Sequence, residues 1–84
     1  MDSCLITFRS VTPAQRGESA LRREGIACAI QRTPKQLADQ SCGYSLRVRF
    51  QDAVRCAELL RAEEVPFRKI YLRRENGSIE ELSL

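Results

Sequence analysis

The sequence predicts a single α+β domain whose strands and helices follow one another in the order βαββαβ. Short runs of β-forming residues flank two segments with helical start and stop signals, which is the pattern of such a domain. The two halves of the chain also repeat, since a shift of 39 residues superposes their apolar positions. It carries Ala14 onto Ala53, Gly17 onto Cys56, Leu21 onto Leu60 and Ile26 onto Val65. At 84 residues there is room for one domain, which we place at residues 1–72 with a C-terminal extension at 73–84.

The first strand is predicted at residues 4–8, an apolar run rich in β-formers. The first helix follows at once, because Thr12 is a good capping residue and Pro13 suits a first helical position. Gln15 completes a capping box with Thr12, so we expect the helix to begin here.

This helix is expected to end at Glu24, because Gly25 can adopt the left-handed conformation that commonly closes a helix. Its inner stripe is made of small or apolar residues: Ala14, Gly17, Ala20 and Leu21. Small residues in that stripe imply a close approach between helix and sheet. A second strand is predicted directly afterwards at residues 26–30, where large and small side chains alternate.

A loop then leads into the clearest strand of the chain. Thr33 and Pro34 repeat the capping chemistry of the first helix, so a single helical turn is expected over residues 34–39, ended by residues 41–43. Residues 44–50 alternate with period two and predict the third strand. One face should hold Tyr44, Leu46, Val48 and Phe50, and the other Ser45, Arg47 and Arg49.

The last two main elements complete the pattern. A second helix is predicted over residues 52–63, with an inner face of Ala53, Cys56, Ala57 and Leu60. A final strand is predicted over 65–72, where Pro66 near its start suits a sheet edge. These elements form the ferredoxin-like arrangement, a four-stranded antiparallel sheet with two helices on one face. The other face should be open and carry Arg47 and Arg49.

The C-terminal extension is predicted to add a strand. Asn76-Gly77 suits a type I′ hairpin turn, which would make residues 78–84 a fifth strand and pair Arg73 with Glu80. Residues 78–81, Ser-Ile-Glu-Glu, also match a capping box, which would begin a helix instead. Seven residues are too few for a stable isolated helix, so the hairpin is favoured.

Composition excludes several kinds of chemistry. Histidine is absent from the sequence, so neither a Ser–His nor a Cys–His catalytic pair is available, and the common Cys/His zinc patterns are ruled out. No two of the four cysteines form a Cys-x-x-Cys motif. No cofactor and no metal site is therefore predicted. The net charge of +3 is compatible with an anionic partner without requiring one.

The four cysteines divide into two groups. The sequence has neither a signal-peptide pattern nor an apolar run long enough for a membrane span, so we expect the cytoplasm, where thiols stay reduced. Three cysteines fall on predicted strands or on an inner helix stripe and are expected in the core: Cys4, Cys28 and Cys56. Cys42 differs, because it lies among turn-forming residues where nothing in the pattern requires an apolar side chain.

The surroundings of Cys42 leave its pKa open. Arg32 and Lys35 enter the same loop and would stabilise a thiolate, the form that attacks. Asp39 and the carbonyl end of the predicted helical turn would oppose a negative sulfur. On residue types alone, an idle loop thiol and a reactive one are both compatible with the pattern.

The loop carries a family resemblance. Residues 34–43 read Pro-Lys-Gln-Leu-Ala-Asp-Gln-Ser-Cys-Gly and run into a strand. This resembles the signature of the putative selenium/sulfur carrier-like family, small cytosolic domains also described as a domain of unknown function, whose loop typically reads Pro-Arg-x-Ile-Ser-x-Ser-Cys-Gly. The sequence departs from it at Lys35, where Arg is usual, and at Ala38 and Gln40, where Ser is common. The resemblance covers residues 3–72, including the Thr-Pro-Ala helix start and the Glu-Gly-Ile joint at 24–26.

The resemblance implies that Cys42 is a carrier thiol that holds sulfur or selenium as a persulfide or selenylsulfide. A donor enzyme of the cysteine desulfurase or selenocysteine lyase type would load it, and an acceptor enzyme would discharge it. Arg32, Pro34, Lys35, Ser41 and Gly43 would support the loop. The chain would then be a carrier rather than a self-sufficient enzyme, and the absence of a neighbouring second thiol suits that role.

Two other interpretations stay open at this stage. A non-catalytic interaction or regulatory module, including a homodimer formed through the sheet face or an edge strand, is compatible with the fold. An RNA-recognition domain shares the topology, but it needs aromatic side chains at alternate positions of the open face. Here Tyr44 and Phe50 are predicted on the same face as Leu46 and Val48, so nucleic acid is the less favoured partner. No membrane partner is expected.

Overall fold

The computed structural model describes residues 2–34 and 43–84. The elements are β1 (Ser3–Phe8), α1 (Val11–Arg23), β2 (Cys28–Arg32), β3 (Tyr44–Arg49), a 3₁₀ turn (Phe50–Asp52), α2 (Ala53–Ala62), β4 (Ile70–Arg73) and β5 (Ile79–Leu82). The strands form one sheet in the order β2-β3-β1-β4-β5, and every neighbouring pair is antiparallel. The predicted ferredoxin-like arrangement is confirmed, with β5 as an additional strand at the β4 edge.

The core lies between the two helices and one face of the sheet. Both predicted helix stripes are buried, and β1 contributes Cys4, Ile6 and Phe8 to the same layer. Gly17 lets α1 approach closely, since a Cβ atom there would lie 3.2 Å from carbon atoms of Phe8, Leu46 and Leu60. The prediction of a close approach between helix and sheet is therefore confirmed.

The opposite face of the sheet is less open than predicted. Arg47 and Arg49 are exposed on it, as expected. Leu5 and Ser45 lie on the same face, yet neither side chain is exposed. The alternation along β3 correctly predicted the face on which each of its residues lies. It did not predict which residues on the face opposite the helices would be buried.

The start of α1 differs from the prediction. The helix begins at Val11, and Ser10 occupies the capping position without a side-chain cap hydrogen bond. Thr12 and Gln15 therefore form no capping box, and that prediction is wrong. Pro13 is tolerated because the backbone N–H groups of a first helical turn have no partner within the helix.

Two predicted strands begin later than expected, because their first apolar residues close helices instead. Ile26 N–H donates to the Leu21 carbonyl (3.0 Å), and Val65 N–H donates to the Leu60 carbonyl (2.9 Å). Both side chains are buried, at 3% and 4% exposed. A buried apolar residue that follows a helix was thus misread as the start of a strand, and β2 starts at Cys28.

The strand β4 starts at Ile70, five residues later than predicted. Before it, Arg68 N–H donates to the Thr7 carbonyl (2.7 Å), and Thr7 N–H donates to the Lys69 carbonyl (2.8 Å). Two residues thus face the single Thr7, as in a β-bulge. The Thr7 hydroxyl also contacts the backbone of Lys69 and fixes this irregular pairing.

Phe50 was predicted to face the core, and this is wrong. The strand β3 ends at Arg49, and Phe50 begins the 3₁₀ turn, where its side chain is 50% exposed. The chain turns away from the sheet here to enter α2, so the period-two pattern no longer decides which side a residue faces.

The C-terminal hairpin forms, but its turn and register differ from the prediction. Gly77 N–H donates to the Arg74 carbonyl, and only Gly77 of the two turn residues has a positive φ, +90°. A type I′ turn needs a positive φ at Asn76 as well, so this is a type I-like turn with a glycine bulge. The bulge shifts the register by one residue, so that Arg73 pairs with Ile79 and not with Glu80.

Candidate functional site

The predicted site residues fall at the connection between β2 and β3. Arg32 ends β2, Pro34 follows two residues later, and Gly43 precedes β3. Lys35, Ser41 and Cys42 lie outside the described residues, as does most of the helical turn predicted over 34–39. The described part of the site therefore consists of its two flanks and the sheet edge that holds them.

The two flanks are joined by a backbone hydrogen bond. Thr33 N–H donates to the Gly43 carbonyl over 2.9 Å. This bond extends the antiparallel ladder between β2 and β3 by one step beyond the pair Arg32 and Tyr44. Residues 33 and 43 are therefore held side by side at the end of the sheet.

Gly43 lies where a side chain would not fit easily. A Cβ atom added there would lie 3.1 Å from the Phe8 carbonyl oxygen and 3.3 Å from the Thr33 hydroxyl oxygen. The φ angle of Gly43 is not in the left-handed region, so its backbone conformation does not require glycine. Glycine is favoured here because of the close approach of β1, which fixes the residue bonded to Cys42 against the C-terminal end of that strand.

On the face of the sheet opposite the helices, two hydroxyl groups hold the same corner together. The Thr33 and Ser45 hydroxyl oxygens lie 2.7 Å apart, and the Ser45 side chain is fully buried. The Arg32 guanidinium lies 5.9 Å from the centre of the Tyr44 ring, within the range of a cation–π contact. Neither Ser45 nor Thr33 is among the supporting residues predicted from the sequence. A hydrogen bond between neighbouring strands could not be inferred before the register was known.

Positive groups lie at the start of α1 and at the end of β2. Phe8 ends β1, and α1 begins three residues later at Val11. The first turn of α1 contains no acidic residue and its cap position makes no side-chain hydrogen bond, so its positive dipole end is not neutralised locally. Arg9, directly after β1, and Arg32, at the end of β2, are both exposed.

The other three cysteines are poor nucleophiles. Cys4 and Cys56 are fully buried, and Cys28 is half-buried with its thiol near the Glu18 carbonyl oxygen (3.9 Å). Burial, with a smaller contribution from Asp2, raises the pKa of Cys4 to about 11. Burial likewise raises the pKa of Cys56 to about 12.

Cys28 is also shifted upward, although an arginine opposes the shift. Burial raises the pKa of Cys28, while a hydrogen bond donated by Arg22 and the positive charge of that residue act in the other direction. Because the thiolate is the attacking form, all three described thiols are deactivated at neutral pH.

No metal centre is formed by the part of the chain that the structure describes. Within residues 2–34 and 43–84, no three acidic or cysteine side chains are grouped so that they could hold a metal ion. None of the described helices is long and apolar enough to cross a membrane.

The aromatic residues considered for RNA recognition do not form a stacking platform. Tyr44 packs against the core on the helix side of the sheet, and Phe50 lies beyond the end of β3. On β1 and β3, the opposite face carries Ser3, Leu5, Thr7, Ser45, Arg47 and Arg49. The one aromatic ring on that face of the described strands is Tyr71 of β4, which is half-buried, so the face lacks the row of exposed rings that base stacking requires.

Fold and sequence together define a class: small ferredoxin-like domains with a Cys-Gly pair between the second and third strands. The family described as "Putative Se/S carrier protein-like" matches residues 3–72. The chain belongs to this family. No curated protein and no solved structure matches the chain significantly.

Proposed function

We propose that the protein is a sulfur or selenium carrier that uses Cys42 as its carrier thiol. The observation that carries this proposal is the family match over residues 3–72, which includes the Cys-Gly pair. The carrier receives a sulfur or selenium atom from one enzyme and delivers it to another. It needs a reactive thiol and no catalytic machinery of its own.

Loading is a thiol exchange that balances without an external oxidant. The Cys42 thiolate attacks the terminal sulfur of a persulfide on the donor enzyme. A new S–S bond forms on Cys42 while the donor's S–S bond breaks, and the donor cysteine leaves as a thiolate. A donor that carries selenium would transfer it in the same way and leave a selenylsulfide on Cys42.

The described residues support this assignment in two ways. The other three cysteines are buried or half-buried with raised pKa values, so they would not compete for the transferred atom. Gly43 and Thr33 hold the flanks of the loop together, and the positively charged Arg32 lies at the start of that loop, where it would favour a thiolate. Pro34, Lys35 and Ser41 are proposed as the remaining supporting residues of the loop.

The proposed partners follow from the same chemistry. The donor is an enzyme of the cysteine desulfurase or selenocysteine lyase type, and the acceptor is an enzyme that consumes the transferred atom. The proposed compartment is the cytoplasm, because a carrier thiol has to return to its reduced state after each cycle.

Loading can be tested by intact mass measurement. The reduced protein is incubated with a cysteine desulfurase and cysteine, or with a selenocysteine lyase and selenocysteine. An adduct of about 32 Da or about 80 Da, removed by a reducing agent, is expected on the wild-type chain.

Two variants identify the residue that is loaded. Cys42→Ser should abolish the adduct, whereas Cys28→Ser, which replaces the most accessible of the other three described thiols, should retain it. An adduct that persists in Cys42→Ser, or none on the wild-type chain with either donor, contradicts the proposal.

A further inference from the structure

The sheet face that the helices leave uncovered has an unbalanced positive charge. Three exposed arginines lie on it: Arg47 and Arg49 on β3, and Arg73 on β4. Tyr71, half-buried, lies on the same face of β4, across Leu5 from Arg47. We call this set the arginine face. The register places Arg49 and Arg73 on opposite sides of Ser3, so their Cα atoms are about 10 Å apart.

Two of these arginines have no partner among the residues that the structure describes. Arg49 pairs with Asp52 at 3.3 Å, and Arg32, on β2, lies over Tyr44. Among the arginines in the described strands, only Arg47 and Arg73 make no ion pair, side-chain hydrogen bond or ring contact.

On the helix side of the molecule, three arginines are paired with glutamates. Arg22 pairs with Glu18 at 3.3 Å, and Arg23 of α1 pairs with Glu63, just after α2, at 2.8 Å. Arg55 similarly reaches Glu24. On the arginine-face side of β4 and β5, the one acidic residue in the described strands is Glu81, which pairs with Lys69 at 3.4 Å. Arg16 on α1 has no partner among the described residues, whereas the arginine face brings two such arginines, Arg47 and Arg73, together on the strands that flank β1.

We propose that the arginine face is a docking surface for a carboxylate-rich surface of a partner protein. The charges are complementary, because arginines that have no partner among the described residues can form charge-assisted hydrogen bonds with carboxylates supplied by another molecule. A second copy of this chain would bring like charges together across the face, which is unfavourable. Single-stranded RNA would supply phosphates, but the one ring on the described part of this face is the half-buried Tyr71, and base stacking uses several exposed rings.

The arginine face does not include Cys42, so the inference goes beyond the carrier role and does not depend on it. It also lies on the side of the sheet to which Ser45 belongs, two residues after Gly43. A protein docked there would reach the corner that holds the flanks of the proposed carrier loop.

An NMR titration of the ¹⁵N-labelled protein tests the docking surface. Hexaglutamate serves as the acidic probe and hexauridylate as the nucleic-acid probe, both at low ionic strength. Hexaglutamate should shift amide signals of β1, β3 and β4 around Leu5, Arg47 and Tyr71. Its affinity should fall steeply when salt is added, because exposed charges are screened.

Charge variants make the test specific. Arg47→Glu combined with Arg73→Glu should weaken hexaglutamate binding by about tenfold or more. Arg16→Glu, an exposed and unpaired arginine on α1, should change it by less than about twofold. Cys42→Ser should leave it unchanged, which separates this proposal from the carrier role. If the double reversal does not fold, Arg47→Gln with Arg73→Gln serves instead and should also weaken binding.

Four results would overturn the proposal: no binding of hexaglutamate at low salt, shifts confined to α1 and α2, an equal loss in Arg16→Glu, or tighter binding of hexauridylate than of hexaglutamate. The last result would indicate a nucleic-acid surface instead.

Discussion

Burial decides the ionisation of the cysteines that the structure describes. Cys4 lies on the helix face of β1 and Cys56 on the inner stripe of α2, so each thiol is surrounded by core side chains. A thiolate in either place would lose its hydration, and at Cys56 the favourable charge of Arg55 is outweighed by this loss. Both residues therefore act as small apolar side chains, as their positions in the sequence predicted.

These thiols should make stability depend on alkaline pH. The ordinary thiol pKa is 9.0, whereas the folded pKa is about 11 for Cys4 and about 12 for Cys56. The folded state holds the proton more tightly, so the stabilisation is complete below pH 9 and is lost as the pH rises through the folded pKa. For Cys4 the difference between the unfolded and folded pKa corresponds to roughly 3 kcal/mol of unfolding free energy.

Urea unfolding at a series of pH values around and above 9 measures this loss. Cys4→Ala, which removes one of the linked protons, should give a shallower decline of the unfolding free energy with pH than the wild type. An identical decline in the two proteins would show that Cys4 does not carry the linkage.

Gly43 is the second residue whose environment makes a prediction. Gly43→Ala should destabilise the fold by about 1–2 kcal/mol, because the new methyl group meets the Phe8 carbonyl, a backbone atom that cannot rotate away. It should also change the alkylation rate of Cys42, since the residue bonded to it has to move. Gly77→Ala is the matched control: it is strained by its φ of +90° and has open space around it. The control should lose stability but leave the alkylation rate unchanged.

At the scale of elements, the internal repeat extends to the way both helices end. Gly25 and Glu64 occupy equivalent positions and both adopt left-handed backbone, with φ of +76° and +56°. In each case the side chain of the next residue, Ile26 or Val65, is buried in the core, and its N–H donates to a carbonyl in the last turns of the helix. The same helix end is thus formed once with glycine and once with glutamate, whose Cβ atom makes the left-handed conformation unfavourable.

Glu64→Gly should therefore stabilise the protein by about 1 kcal/mol, because glycine adopts the left-handed conformation without strain. Gly25→Ala should destabilise it by a similar amount at the equivalent position. Urea unfolding measures both changes. Opposite signs are expected, and a loss of stability in Glu64→Gly would contradict this account of the helix ends.

The contact between α1 and the sheet gives a further prediction at this scale. Gly17→Val should destabilise the fold by about 2 kcal/mol, since the added atoms overlap side chains that are already fully buried. Gln15→Val, at an exposed position of the same helix, controls for the lower helix propensity of valine and should cost only about 0.5 kcal/mol. Equal losses in the two variants would mean that propensity, not packing, dominates.

The sequence was sufficient to predict the order of the elements and both helix stripes, because each stripe repeats with helical period and contains small residues where the layers meet. The starts of β2 and β4 were not predictable in this way, since Ile26 and Val65 are as apolar as strand residues but close helices instead. The predicted hairpin register was wrong for a related reason. Asn76-Gly77 is compatible with two turn types, and these differ by one residue in the pairing of the strands.

For the site, the sequence identified the Cys-Gly pair and the basic flank at Arg32. It did not reveal the Thr33–Ser45 hydrogen bond or the close approach of Gly43 to β1, because both depend on which residues become neighbours across strands. Contacts of this kind follow from register, and register is set by the whole sheet.

At the scale of the molecule, the two sides of the sheet differ in what covers them. One side is covered by helices, on which Arg22, Arg23 and Arg55 are paired with glutamates, and the other carries Arg47 and Arg73, which have no partner among the described residues. The corner where β1, β2 and β3 meet holds the flanks of the proposed carrier loop. A small domain that combines a reactive thiol with a separate docking face would suit transfer between larger enzymes.

The most direct measurement of the central claim is the alkylation rate of each cysteine in the native state. The protein is treated with iodoacetamide at neutral pH for increasing times, unfolded, labelled with a heavy form of the reagent and analysed by peptide. Cys42 should react fast, and Cys4, Cys28 and Cys56 slowly, in line with their burial and raised pKa values. A slow Cys42, or a faster reaction at Cys28, would contradict the assignment of Cys42 as the carrier thiol.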